Sequence, residues 1–169
     1  MGTDKALIEI DGIPMARRVA NALADGGCTM TYAVGGDSTA LRRLGFVTLA
    51  DQFPGEGPLG GIVTALHLAV APTDVVVIAA CDMPRLDGAT LRQLLAEMGV
   101  ADVAMAYSDR LEPLCSCWRA SSLEHLRSEF EHGVRAVRDA VAKLVVAQVQ
   151  VDDDVISNLN TPADLPVPR

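Results

Sequence analysis

Two kinds of apolar pattern alternate along this chain as far as Gly99. Short continuous runs of Val, Ile and Ala read as strands buried on both faces, and apolar residues spaced three or four apart read as amphipathic helices. Ala6–Ile10 is a β-like run followed by the turn signal Asp11-Gly12. Pro14 suits the first turn of a helix reaching about Asp25, with Met15, Val19, Ala22 and Leu23 on one stripe and Gly26-Gly27 at its end. Cys28–Val34 predicts a buried strand, Ser38–Leu44 a short helix, Phe46–Ala50 a strand, and Leu59–Val70 a helix opened by Pro58. The clearest strand is Asp74–Cys81. Seven uncharged residues, Val75 to Cys81, meet Asp82, and Pro84 prevents further extension. Leu86–Met98 then predicts a helix with Asp87 at its N-cap and Gly99 at its end.

This alternation with short Gly/Pro links predicts an α/β fold, a doubly wound, mostly parallel sheet in three layers. Beyond Gly99 the rhythm changes. Asp102–Tyr107 and Pro113–Trp118 read as strands around the polar turn Ser108-Asp109-Arg110. Helices follow at about Ser121–Glu131 and Val134–Lys143, and Val145–Val151 is a last strand of alternating character. The 169 residues suffice for one domain with a substantial core, and no linker or internal repeat divides them.

Charge narrows the function. A net charge of −8 argues against nucleic-acid or anionic-membrane partners, so an anionic ligand would need local positive charge, a helix N-terminus or a metal. The chain has only two lysines, Lys5 and Lys143. No apolar run approaches a membrane span and the N-terminus carries no apolar signal segment, which predicts a cytosolic protein. Cys28, Cys81, Cys115 and Cys117 form no CxxC pair and read as reduced thiols. The separate residues His67, His125 and His132 read as surface or packed side chains, and no Ser/His/Asp or Cys/His arrangement supports covalent catalysis.

Asp82 is the first candidate. Ligands of open parallel sheets bind beyond the carboxyl ends of strands, and a carboxylate there suits a hard cation such as Mg2+, or else caps a turn before Pro84. The loop Asp51–Gly61 brings Gly55, Gly57, Gly60 and Gly61 to the start of a helix, where backbone amides favour anions. It is neither GxGxxG nor GxxxxGK[ST]. Lys5 on its loop is either a phosphate-binding point charge or an ordinary surface lysine. Asn158 and Asn160 face one way in an extended segment and suit a base, a ribose or a fixed tail, while Thr161-Pro162 suits a helix start.

Five stretches in order carry a family resemblance: Met1-Gly2-Thr3-Asp4-Lys5, Phe53 to Gly61, Cys81-Asp82-Met83-Pro84, Glu112-Pro113-Leu114-Cys115, and Asn158-Leu159-Asn160-Thr161-Pro162. Together they resemble the MobA-like nucleotidyltransferases of molybdenum cofactor synthesis, most closely the guanylyltransferases. The resemblance implies a Rossmann-like nucleotidyltransferase fold and transfer of GMP from GTP to molybdopterin with release of pyrophosphate. It implies that Asp82 holds Mg2+ and contacts the nucleotide, that Lys5 binds GTP phosphate, that Asp51 contacts the nucleotide, and that Asn158, Asn160 and Gly57 lie on the substrate side. It further implies a cytoplasmic monomer with transient contacts to other cofactor-synthesis proteins. No side-chain nucleophile is needed, because such transfers rest on positioning and charge neutralisation.

Two departures set expectations. The family pattern opens with a strand and Leu-Ala-Gly-Gly-x-Ser-x-Arg ahead of the Met-Gly at which this chain starts. A domain beginning at Met1 is thus expected to lack an interior strand and a phosphate loop, with poor stability and little activity. Ala33, before Val34-Gly35-Gly36, stands where the guanylyltransferase has an asparagine. Cytidylyl transfer, another small-phosphate guanylyltransferase and a non-catalytic nucleotide-binding protein are therefore the alternatives.

Overall fold

The computed structural model describes residues 4–159. A 3-10 turn, Lys5–Leu7, opens the chain, with the Asp4 carboxylate capping it by accepting from Ala6 N at 3.0 Å. Here the expected strand Ala6–Ile10 shrinks to β1 (Glu9–Ile10), because the capped turn consumes its first residues. β1 pairs with β2 (Ile13–Pro14) across Asp11-Gly12, both at positive φ, the two-residue link that a tight hairpin requires. Pro14 therefore flanks helix α1 (Met15–Asp25) instead of opening its first turn.

The next units follow the predicted order with shorter elements: β3 (Tyr32–Val34), α2 (Ser38–Arg43), β4 (Val47–Leu49), α3 (Pro58–Leu66), β5 (Val75–Ala79) and α4 (Gly88–Glu97). Asp37 caps α2 through Thr39 N and Ala40 N, and Asp87 caps α4 by accepting from Thr90 N at 2.8 Å. The last part holds β6 (Val103–Tyr107), β7 (Leu111–Arg119), α5 (Leu123–Glu131), α6 (Val137–Ala140), β8 (Val146–Gln150) and α7 (Asp153–Ile156). The helix expected over Val134–Lys143 is only four residues long, since Ala136 is still extended and Val141 already leaves the helical region. The short helix α7, capped by Asp152, was not signalled by apolar periodicity.

The four-stranded sheet runs β5-β7-β6-β8. β7 is antiparallel to both β5 and β6, and β8 is parallel to β6, so β5, β6 and β8 share one direction. The three residues Ser108, Asp109 and Arg110 are too few for a parallel crossover, and they turn the chain back as a hairpin. β3 and β4 form a separate parallel pair.

Alternation of side chains gives the three layers. Ala104, Ala106, Cys115, Cys117 and Val149 face a core completed by α1 and α4, through Val19, Leu91 and Leu94. Val103, Met105 and Trp118 face the opposite core, closed by Leu59, Ile62 and Val63 of α3 and by Leu126 and Phe130 of α5. The expectation of an α/β three-layer fold holds. Two strands expected to be buried on both faces are not: Tyr32–Val34 and Val76–Ala79 are only partly covered, and Val75 is 38% exposed. Each has an unpartnered edge beside an open cleft.

α1 and α4 meet through glycine. A Cβ at Gly88 would lie 2.7 Å from Asp25 C and 2.8 Å from Gly26 N, backbone atoms with no rotamer to give way. Gly88→Ala is expected to cost about 1–3 kcal/mol by forcing the two helices apart. Gly61→Ala, in open space on α3, should instead gain up to about 1 kcal/mol from helix propensity. Urea unfolding of both variants checks the opposite signs.

Candidate active site

The carboxyl ends of β3, β4 and β5 open onto one cleft of about 970 Å³. Gly35 and Gly36 follow β3, Asp51 follows β4, and Cys81-Asp82 follow β5; all line this cleft. Gly35 and Gly36 have φ of 72° and 70°, so the backbone turns away there with no side chain in the opening.

The 3-10 turn at the N-terminus brings Lys5 to this same end. Its Nζ lies 3.6 Å from Asp82 Oδ2. Residues 77 positions apart in sequence therefore form one charged pair at the cleft, as the sequence reading required of a phosphate-binding lysine and a metal-binding carboxylate. The pair is partly solvated, and an ion pair of that kind adds at most about 1 kcal/mol of stability. Its placement favours function over scaffolding. The backbone of Asp82 is also held: its carbonyl accepts from Leu159 N at 2.9 Å, tying the C-terminal segment to the site.

Asp4 is a site residue the sequence reading did not weigh. Beyond capping its own turn, its Oδ2 accepts from Asp37 N at 3.0 Å and so links the N-terminal turn to the loop after β3. An Asp immediately before a short helical turn is the signal that would have found it. Asp82 and Asp4 act on Cys81, whose thiol is pushed up to about 11, by desolvation first and by these two carboxylates next. Cys81 is therefore a neutral thiol near pH 7 and not a nucleophile.

Asp51 has a partner set within its own loop. Its Oδ1 accepts from Phe53 N at 2.9 Å and lies 3.1 Å from the Thr64 hydroxyl, which also accepts from Gln52 N. One carboxylate oxygen thus pins the start of the glycine-bearing loop to α3. Gly57, at φ 87°, is the residue before Pro58 at the start of α3 and is solvent-exposed. Arg135 secures the same loop from the other side. It meets Glu56 at 2.7 Å, and its guanidinium stands 3.9 Å above the Phe130 ring, which packs at 4.5 Å from Phe53.

Asn158 lies in a smaller polar pocket of about 190 Å³ with Ser108, Arg110, Glu112 and Asp153. Its Oδ1 is buried without a hydrogen-bond partner among the described residues, an oriented acceptor available to a donor. Asn160, Thr161 and Pro162 lie outside the described residues. His67, His125 and His132 each have a ring nitrogen on a backbone carbonyl, so none is offered to the cleft. Among the described residues no three His, Cys, Asp or Glu side chains converge as a metal cage. No helix among them is long and apolar enough to cross a membrane.

An α/β sheet with an acid–lysine pair and two glycine turns at the carboxyl ends of its strands defines a nucleotide-handling protein of the Rossmann-like class. Comparison with known proteins gives the family. Residues 1–149 match the MobA-like NTP transferase domain, and the chain belongs to that family of nucleotidyltransferases. It is 32% identical over 167 residues to a molybdenum cofactor guanylyltransferase of Cereibacter sphaeroides, covering 97% of this chain and 86% of that one. It is 33% identical over 178 residues to a probable molybdenum cofactor guanylyltransferase of Chloroflexus aggregans, covering 97% and 85%. Among solved structures, molybdopterin-guanine dinucleotide biosynthesis protein A of Archaeoglobus fulgidus superimposes with a TM-score of 0.76 at 24% identity, covering 96% of this chain and 87% of that one.

Proposed function

We propose that this protein transfers GMP from GTP to molybdopterin, releasing pyrophosphate, with Mg2+ as the divalent metal. The observation that carries the reading is the Lys5–Asp82 pair at 3.6 Å on the cleft of a nucleotidyltransferase. The names of the relatives support the nucleotide and the acceptor.

The reaction joins two anions. An oxygen of the acceptor's phosphate attacks the α-phosphorus of GTP, a new P–O bond forms, and the bond to the β-phosphate bridging oxygen breaks to release pyrophosphate. Lys5 places a positive charge where the phosphates gather and lowers their mutual repulsion. Asp82 is the side chain that would hold the metal; a hard oxygen donor fits Mg2+, which commonly takes one or two carboxylates and leaves its other positions to phosphate and water. When bound, the metal supplies charge neutralisation at phosphate oxygens. Gly35, Gly36 and Gly57 keep side chains out of the path of the nucleotide, and Asp51 both orders the loop and stands within reach of the cleft. Asn158 and Arg110 put an amide and a guanidinium in the neighbouring polar pocket, suited to the acceptor. A role for Asn160 on the acceptor side is part of the same proposal.

The expected product of GTP, Mg2+ and molybdopterin is the guanine dinucleotide, identified by mass spectrometry, with CTP competing poorly. Ala33 beside the cleft favours one other reading, cytidylyl transfer, and a cytosine product formed in preference from an equimolar GTP/CTP mixture would establish it instead.

A further inference from the structure

The cleft has an unusual wall. Among the described residues β3 pairs only with β4 and β5 only with β7, so each leaves one edge open. Hydrogen-bond phase shows which groups are involved. Ala80 N donates to Leu114 O and Ala120 N to Asp74 O, so the even-numbered residues of β5 serve β7. Val75, Val77 and Ala79 therefore turn their N–H and C=O groups the other way. Gly35 N donates to Leu49 O, so Ala33 and Gly35 serve β4, and Tyr32 and Val34 turn theirs outward. All five of these residues line the cleft. Its remaining walls are apolar side chains, Val19 and Leu23 of α1 and Ile62 and Ala65 of α3, standing above and below the level of the sheet.

An apolar slot between two open, unpaired strand edges and under two helices has the form of an interior sheet position. We propose that it seats one further strand, parallel to β5, supplied by polypeptide that precedes Met1 and is continuous with it. The strand is uncharged and rich in Val, Ile and Ala, because helices cover both its faces.

Direction and connection identify this source. Asp4 and Lys5 lie at the carboxyl ends of β3 and β5, through Asp37 N and Asp82. A strand running parallel to β5 ends at that same place, so a short link joins it to Asp4. α1 then becomes the crossover from this strand to β3, the usual connection between parallel neighbours. Residues 1–3 span at most about 11 Å, too short to match a five-residue strand. The tail after Leu159 carries Pro162, Pro166 and Pro168, which cannot pair on both edges. The Cereibacter sphaeroides relative has about a seventh of its length beyond this match, room for a strand and a link.

The test compares the protein purified from its native source with residues 1–169 expressed alone, by intact mass and by amide hydrogen exchange. The native protein is expected to be heavier than 17.8 kDa, with the amides of Tyr32, Val34, Val75, Val77 and Ala79 protected by about 10³-fold or more. Where residues 1–169 alone do not fold, the mass and the five protections in the native protein decide. A native mass of 17.8 kDa overturns the proposal, as do five freely exchanging amides. Protection of the same amides in residues 1–169 alone, rising with concentration as a dimer forms, assigns the slot to a second copy and also overturns it. None of these readouts depends on turnover, so the outcome is separable from that of the guanylyl-transfer proposal.

Discussion

Asp82→Asn is expected to lower kcat by about 10³-fold, equivalent to about 4 kcal/mol, while leaving the unfolding midpoint nearly unchanged. The substitution keeps the size of the side chain and the carbonyl that accepts from Leu159 N, and it removes only the charge beside Lys5. Loss of the carboxylate removes the hard donor suited to a divalent cation, whose neutralising effect on phosphate grows as the transition state spreads negative charge. The partly solvated ion pair with Lys5 adds little to stability, so little is lost there. The expected pattern is thus a change in kcat greater than that in the KM for GTP, with normal melting. A variant that turns over at the wild-type rate removes Asp82 from the reaction and returns it to the role of a turn residue before Pro84.

Trp118→Ala is expected to destabilise the fold by about 3–5 kcal/mol, a large part of the 5–15 kcal/mol typical of a whole domain. Trp118 is fully buried on β7, the strand that joins β5 to β6. Its ring fills the core between the sheet and the helices α3 and α5. Its Nε1 donates to Ser116 Oγ at 2.7 Å, and that hydroxyl donates to Pro113 O at 2.6 Å. Truncation leaves a cavity and a buried hydroxyl with one partner fewer. Trp118→Phe keeps most of the volume and should fall between wild type and alanine in urea unfolding. Equal stability of all three would show that this core is not packed around the indole. Since Trp118 does not line the cleft, the folded fraction of either variant should retain normal turnover.

What the sequence reveals depends on how local each cause is. The strand before Asp82 and the helix after Asp87 were legible, because a continuous apolar run and an N-cap are properties of neighbouring residues. The meeting of Lys5 with Asp82 was legible through the position of each beside a strand end, supported by the family resemblance. The direction of β7 depends on pairing across the sheet and emerged only with the register, although the three-residue turn before it already favoured a hairpin. Asp4 was missed because its effect is exerted through backbone amides of two separate loops. Asp51 was read only for the nucleotide, whereas its bonds to Phe53 N and Thr64 show that it also orders the loop, a role visible only once α3 is in place. Tyr32–Val34 and Val75–Ala79 look like interior strands in sequence and carry open edges in the structure, since the neighbour that would cover them is not among residues 4–159.

The central claim is that GTP phosphates gather at the carboxyl ends of β3 and β5 around Lys5 and Asp82. Titrating the native protein with Mg–GTP while following its assigned backbone amides tests this directly. The account predicts the largest shifts at Asp4–Ala6, Gly35–Gly36 and Cys81–Asp82, lost in Asp82→Asn. Shifts confined to the opposite ends of these strands, or unchanged by that substitution, would contradict it.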